Sequence, residues 1–193
     1  MSCFPKKILQ FFRSEEGSQS VELVLAAPLL VWAIVSMLSF TDAFRVRAVA
    51  NDATAVIADA ISRQTFPIDE TYLEGLQSIA GRLTGRGSSI GVRITQISCT
   101  RKCQNTARRT LKVVFSEASD GQGLSKLKSK DFKNGSRRDQ IPMMAKGDRI
   151  VLVETSFTHK PLMNIGLKET QVDMAQVTRM RFAPQLCWKN CGV

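Results

Sequence analysis

One histidine, His159, stands in the 193 residues, and that scarcity removes most metallohydrolase chemistry from consideration. A zinc centre would need carboxylates and thiols, and no HExxH or DxD spacing is present. The usual signatures of acyl transfer and nucleotide chemistry are missing too, with no GxSxG elbow, P-loop or GxGxxG turn. Glu154 and Asp173 fall on predicted strands, where a lone carboxylate commonly sits at a solvent face or in an ion pair. We therefore expect a chain that is not an enzyme and that needs no metal and no cofactor.

Acidic residues are also in deficit. Seventeen Asp and Glu face 27 Lys and Arg, a formal charge of +10, so the surface favours anionic partners. The cations concentrate in the loop from 116 to 140, which holds Gly121, Gly123, Gly135, Lys126, Lys128, Lys130, Lys133, Arg137 and Arg138. Phe132 is the only aromatic there, so no stacking platform interleaves the charge and nucleic acid is not an expected partner. The composition predicts a mobile, solvated loop; its functional alternative is contact with an anionic membrane or an acidic partner.

Only one apolar run is long enough to cross a bilayer. From Leu23 to Phe40 there is no charge, and about 18 residues at ~1.5 Å of rise cover about 27 Å. Before it lie Lys6, Lys7 and Arg13 around Ile8, Leu9, Phe11 and Phe12, and after it no A-x-A cleavage site precedes the continuing helical pattern. Glu22 stands at the head of the run, where a carboxylate is costly unless paired. From Thr41 to about Gln64, Ala43, Val46, Val49, Ala50, Ala53, Val56, Ile57, Ala60 and Ile61 recur at helical spacing with no glycine or proline. The helix is thus predicted to continue past the membrane, its small-residue stripe packing on its own domain or on neighbouring subunits.

Phe66 and Pro67 end that helix. Asp69 is placed to cap a second one, with Tyr72, Leu73, Leu76, Ile79, Ala80 and Leu83 on one face and Gly85 to Gly87 closing it. Period-two alternation then predicts half-buried strands around Ile90–Thr95 and Leu111–Phe115, a central strand in RIVLVETSFTH ended by Pro161, and a last strand from about Thr170 to Phe182. Between the first two lies SCTRKCQNTARR, expected as a solvated basic hairpin tip or a docking site. Cys99 with Cys103 and Cys187 with Cys191 form two CxxxC pairs, while Cys3 precedes the apolar run. The even count fits two disulfides in an oxidising compartment better than a four-thiolate zinc site, whose commoner spacing is CxxC; local and crossed pairings are both open.

The string EEGSQSVELVLAAPLLV carries one further signal. Gly17 followed five positions later by Glu22 resembles the prepilin-peptidase site of type IV pilin-like proteins. With the Gly-Ser-x-x-Val-Glu start and Pro28 six residues after the glutamate, it resembles the TadE/TadG-like family of pilus assembly proteins, minor pseudopilins of tight-adherence (Flp-type) pili. The match is clearest over residues 11 to 50, and Leu23 stands where the family commonly has an aromatic.

The resemblance implies cleavage after Gly17, an ammonium freed on Ser18, and Glu22 as its partner during assembly. It implies a prepilin peptidase, pilins and other pseudopilins, and an assembly platform as partners, in the inner membrane. The expected architecture is α+β and pilin-like. It comprises a cytoplasmic leader (1–17), a single-pass transmembrane helix with its exported extension (18–64), and a periplasmic domain (65–193) with a small antiparallel sheet and one further helix. A tethered periplasmic module whose basic loops take an anionic partner is the competing expectation.

Overall fold

The computed structural model describes residues 18–120, 123–133, 135–161 and 168–190. The expected leader, with Cys3 and Gly17, lies outside them, as does Cys191. The described chain is α+β: three helices and a four-stranded antiparallel sheet. Its described residues fall into two compact units, 18–42 with Pro161, and the rest from Ala43 onward.

Helix α1 runs from Ser18 to Ser62 with Pro28 inside it. Hydroxyls in and beside its apolar run bond the helix itself: Ser36 Oγ donates to the Trp32 carbonyl at 2.8 Å, and Thr41 Oγ1 to that of Met37 at 2.8 Å. That back-bonding lets polar side chains sit in an apolar run without orphaned groups.

In the second unit the later part of α1 is a core helix. Ala50, Ala53, Thr54, Ile57, Ala58 and Ile61 are all buried, a stripe of three- and four-residue steps. Packing on the helix's own domain is therefore what this stretch does. Val56 (54% exposed) and Ala60 depart from the predicted stripe because they lie on the opposite side of the turn.

Helix α2, Glu70–Thr84, starts where the Asp69 side chain accepts the Tyr72 amide at 2.9 Å and stops at Gly85, in the left-handed region at φ 68°. Leu73, Leu76 and Ala80 are buried, but Ile79 and Leu83, predicted on the same face, are 46% and 48% exposed. Gly81 is needed for close approach, since a Cβ there would meet the Gly87 carbonyl oxygen at 1.9 Å.

Strands β1 (Gly91–Arg101), β2 (Thr110–Ala118), β3 (Arg149–His159) and β4 (Thr170–Thr178) lie in the order β2-β1-β3-β4, every neighbour antiparallel. One face of the sheet carries Val92, Ile94, Val151, Val153 and Phe157 against α1 and α2. The other presents Ile97, Cys99, Ile150 and Leu152 to Leu127, Phe132, Ile141 and Met144.

Three expectations change here. β1 is central and buried on both faces, not half-buried: even Arg93, Thr95 and Gln96 are enclosed. The described part of the loop from 116 to 140 is not a solvated excursion, because Leu127 and Phe132 (1% exposed) pin it over the sheet, with a turn at Ser129–Phe132 and a short helix α3 at Ser136–Asp139. The last strand ends at Thr178, and Phe182 is 69% exposed.

Candidate functional site

The N-terminal part of α1 is the first candidate element. Leu29, Trp32 and Met37 are 69%, 62% and 72% exposed, and the most apolar 18-residue window of the helix has mean hydropathy 2.3 with 6% of it buried. Uncovered apolar surface on this scale needs a non-aqueous neighbour, and one helix near the N-terminus is long and apolar enough to span a membrane. Ser18 is the first residue of α1, and Glu22 follows one turn later with its side chain exposed. The Gly17 to Ser18 junction itself lies outside the described residues.

The cysteines resolve in part. Cys99 and Cys103 form a local disulfide that closes the turn after β1, with Cα atoms 5.8 Å apart. Cys187 is disulfide-bonded as well. Its chain neighbour Leu186 is buried, and the segment docks beside Ile68: the Ile68 amide donates to the Cys187 carbonyl at 2.9 Å, and the Lys189 amide to the Ile68 carbonyl at 2.8 Å. Lys189 Nζ also pairs with Glu70 at 2.7 Å, which lowers the Glu70 carboxyl and raises the Lys189 ammonium from their ordinary values, the shared hydrogen bond being the largest cause.

Two charged constellations were not visible as motifs. Glu154 on β3 accepts from Arg93 Nε and Nη2, each at 2.7 Å, and from Arg137 Nη1 at 2.9 Å. The Arg93 and Glu154 side chains are 3% and 10% exposed, and Arg93 Nη1 also donates to the Ser125 carbonyl at 2.7 Å. The triad borders a polar cleft of about 360 Å³ that Gln171 and Asp173 also line. Asp173 accepts from Ser156 Oγ at 2.6 Å. Sequence alternation puts Arg93 on the face opposite Val92 and Ile94, but only the register Arg93↔Glu154 reveals the pair.

The second constellation is Arg109. In a hairpin expected to be solvated, its side chain is buried and donates to the carbonyls of Pro142 (2.8 Å), Arg138 and Ile141. Burial and the neighbouring Arg138 push its guanidinium below the ordinary value. Arg109 thus ties the hairpin to the segment that covers the sheet. His159 Nδ1 lies 2.9 Å from Arg86 Nη2, whose guanidinium carbon stacks 5.1 Å above the Phe157 ring. These groups hold layers together by charge and hydrogen bonds. Comparison with family models, curated proteins and solved structures returned no match in any of the three.

Proposed function

We propose that this chain is a membrane-anchored minor pseudopilin or assembly factor of a Flp-type (tight-adherence) type IV pilus, acting by helix packing and domain contacts. The observation that carries the reading is α1 itself: an uncovered apolar N-terminal part with one carboxylate, Glu22, continuous in chain with a core helix. The helix is held in the inner membrane by a single pass, with the domain in the periplasm, where an oxidising environment suits the Cys99 to Cys103 bond. A prepilin peptidase cuts after Gly17 and leaves an ammonium on Ser18. Glu22 then accepts such a terminus when helices associate with pilins, other pseudopilins and the assembly platform.

A carboxylate drawn into an apolar helix contact costs several kcal/mol unless an ammonium meets it, so the pair sets the register between helices. Glu22→Ala is expected to leave the protein folded and in the membrane but to abolish its crosslinking to pilus components through residues 43 to 61. Crosslinking of Glu22→Ala at the level of the unsubstituted chain would contradict this role.

A further inference from the structure

Around the disulfide-pinned hairpin, exposed cations gather without direct ion pairs. Lys102 and Arg108 from the hairpin and Lys146 from the turn before β3 line a hollow of about 470 Å³, together with Gln104 and Asn105. A second hollow of about 460 Å³ shares Arg108 and adds Lys112 and Lys133. Among the described residues, none of these five has a carboxylate within ion-pair distance, as is also true of single cations elsewhere such as Arg82 and Lys168; what sets the five apart is that they line two adjoining hollows. Like charges brought together repel, and a fold that leaves them unneutralised at one end has room for an anion there.

Position and composition narrow the anion. Thr178 of β4 pairs with Val151 and Arg149 pairs with Ser98, so the end of β4 and the β1–β2 hairpin share one end of the sheet. Thr54 of α1 bonds Thr155 in mid-strand, and eight residues on Ser62 accepts the Arg181 amide, just past β4. Within this unit α1 therefore advances toward the hairpin end, and the chain enters from Ala43 at the other end. The hollows therefore lie at the end of this unit opposite Ala43. Nucleic acid would want exposed aromatic faces, and Phe132, the aromatic lining the second hollow, is 1% exposed. An arginine fork beside lysines and side-chain amides suits carboxylates held along an extended chain.

We infer that the hairpin end, centred on Lys102, Arg108 and Lys146, is a docking surface for an acidic polypeptide segment of a partner protein. With no large exposed apolar side chain among the residues that line the hollows, the contact is fast, weak and salt-sensitive. It holds whether or not the chain assembles with a pilus.

The test uses the full chain in nanodiscs of neutral lipid, with a fluorescent hexaglutamate peptide followed by anisotropy. Lys102→Glu/Arg108→Glu/Lys146→Glu, all surface changes, should weaken binding about tenfold or more, and raising salt should do the same to the unsubstituted chain. Lys160→Glu/Lys168→Glu, away from the hollows, should change it less than twofold. Equal losses in the two variants would mean that net charge alone attracts the peptide, and would overturn the site. So would displacement of the peptide by inorganic phosphate at equal charge, or preferential capture of phosphatidylglycerol vesicles by Lys102, Arg108 and Lys146, which would assign the cations to a small anion or a bilayer.

Discussion

Glu154→Ala is expected to destabilise the domain by about 3–5 kcal/mol, since it strips the shared carboxylate from two guanidiniums and leaves Arg93 charged and enclosed. A domain of this size has about 5–15 kcal/mol in total, so the variant should sit near its folding limit. In detergent-solubilised full chain the loss should appear as a melting temperature lower by about 10 °C or more. Glu154→Gln keeps the shape and one accepting oxygen but loses the charge and the second acceptor, and should fall between. Replacing the set together, Arg93→Met with Arg137→Met and Glu154→Leu, should regain much of the loss, because the cost comes from an unpaired buried charge and not from the absence of an ion pair. A Glu154→Ala chain that melts within about 2 °C of the unsubstituted one would show that Arg93 reaches solvent or another acceptor.

The second large effect is expected at Arg109. Its guanidinium serves three backbone carbonyls in a buried position, and truncation to alanine takes that donor from all three, leaving Arg138 only the Ile141 amide, and opens a void beside them. We expect Arg109→Ala to cost about 3 kcal/mol, and Arg109→Lys at least half of that, because an ammonium lacks the planar fork that spans the carbonyls. The loss should be localised: amide exchange should quicken across residues 129 to 148, where Phe132, Ile141 and Met144 lean on the sheet, and stay unchanged in α2. Uniform exchange in both regions would mean that the covering segment is held by its apolar contacts alone. Burial, and after it the neighbouring Arg138, lowers the Arg109 guanidinium from its ordinary value, a cost that the carbonyl hydrogen bonds offset.

The elements that were legible in the sequence are those with a strong period or a capping residue. Leu23–Phe40 shows its apolar length directly, α2 its Asp69 cap and Gly85 stop, and β3 its run Ile150–Val153, apolar on both faces as a central strand requires. The covering segment was not legible, because Leu127, Phe132, Ile141 and Met144 are scattered among cations and follow neither helical nor strand spacing. Their burial depends on the sheet face they meet. The two Arg constellations were hidden for a related reason. Arg93 meets Glu154 across strands 61 positions apart, and Arg109 meets carbonyls 29 to 33 positions away, so only tertiary register brings the charges together. Composition could show the cations of the loop and hairpin, but not which were buried, as Arg109 is, or ion-paired, as Arg137 is, and which stay exposed and unpaired with a carboxylate, as Lys102 and Arg108 are.

The central claim is that α1 serves as both membrane anchor and domain core, and so must survive export intact. A conventional signal would be cut at the far end of the apolar run and lose the anchor, whereas the proposed processing removes only the leader. Sequencing the N-terminus of the protein extracted from membranes separates these directly. The account predicts Ser18 as the first residue, with Glu22 in fifth place; a chain that still begins at Met1, or one that begins beyond residue 30, would contradict it.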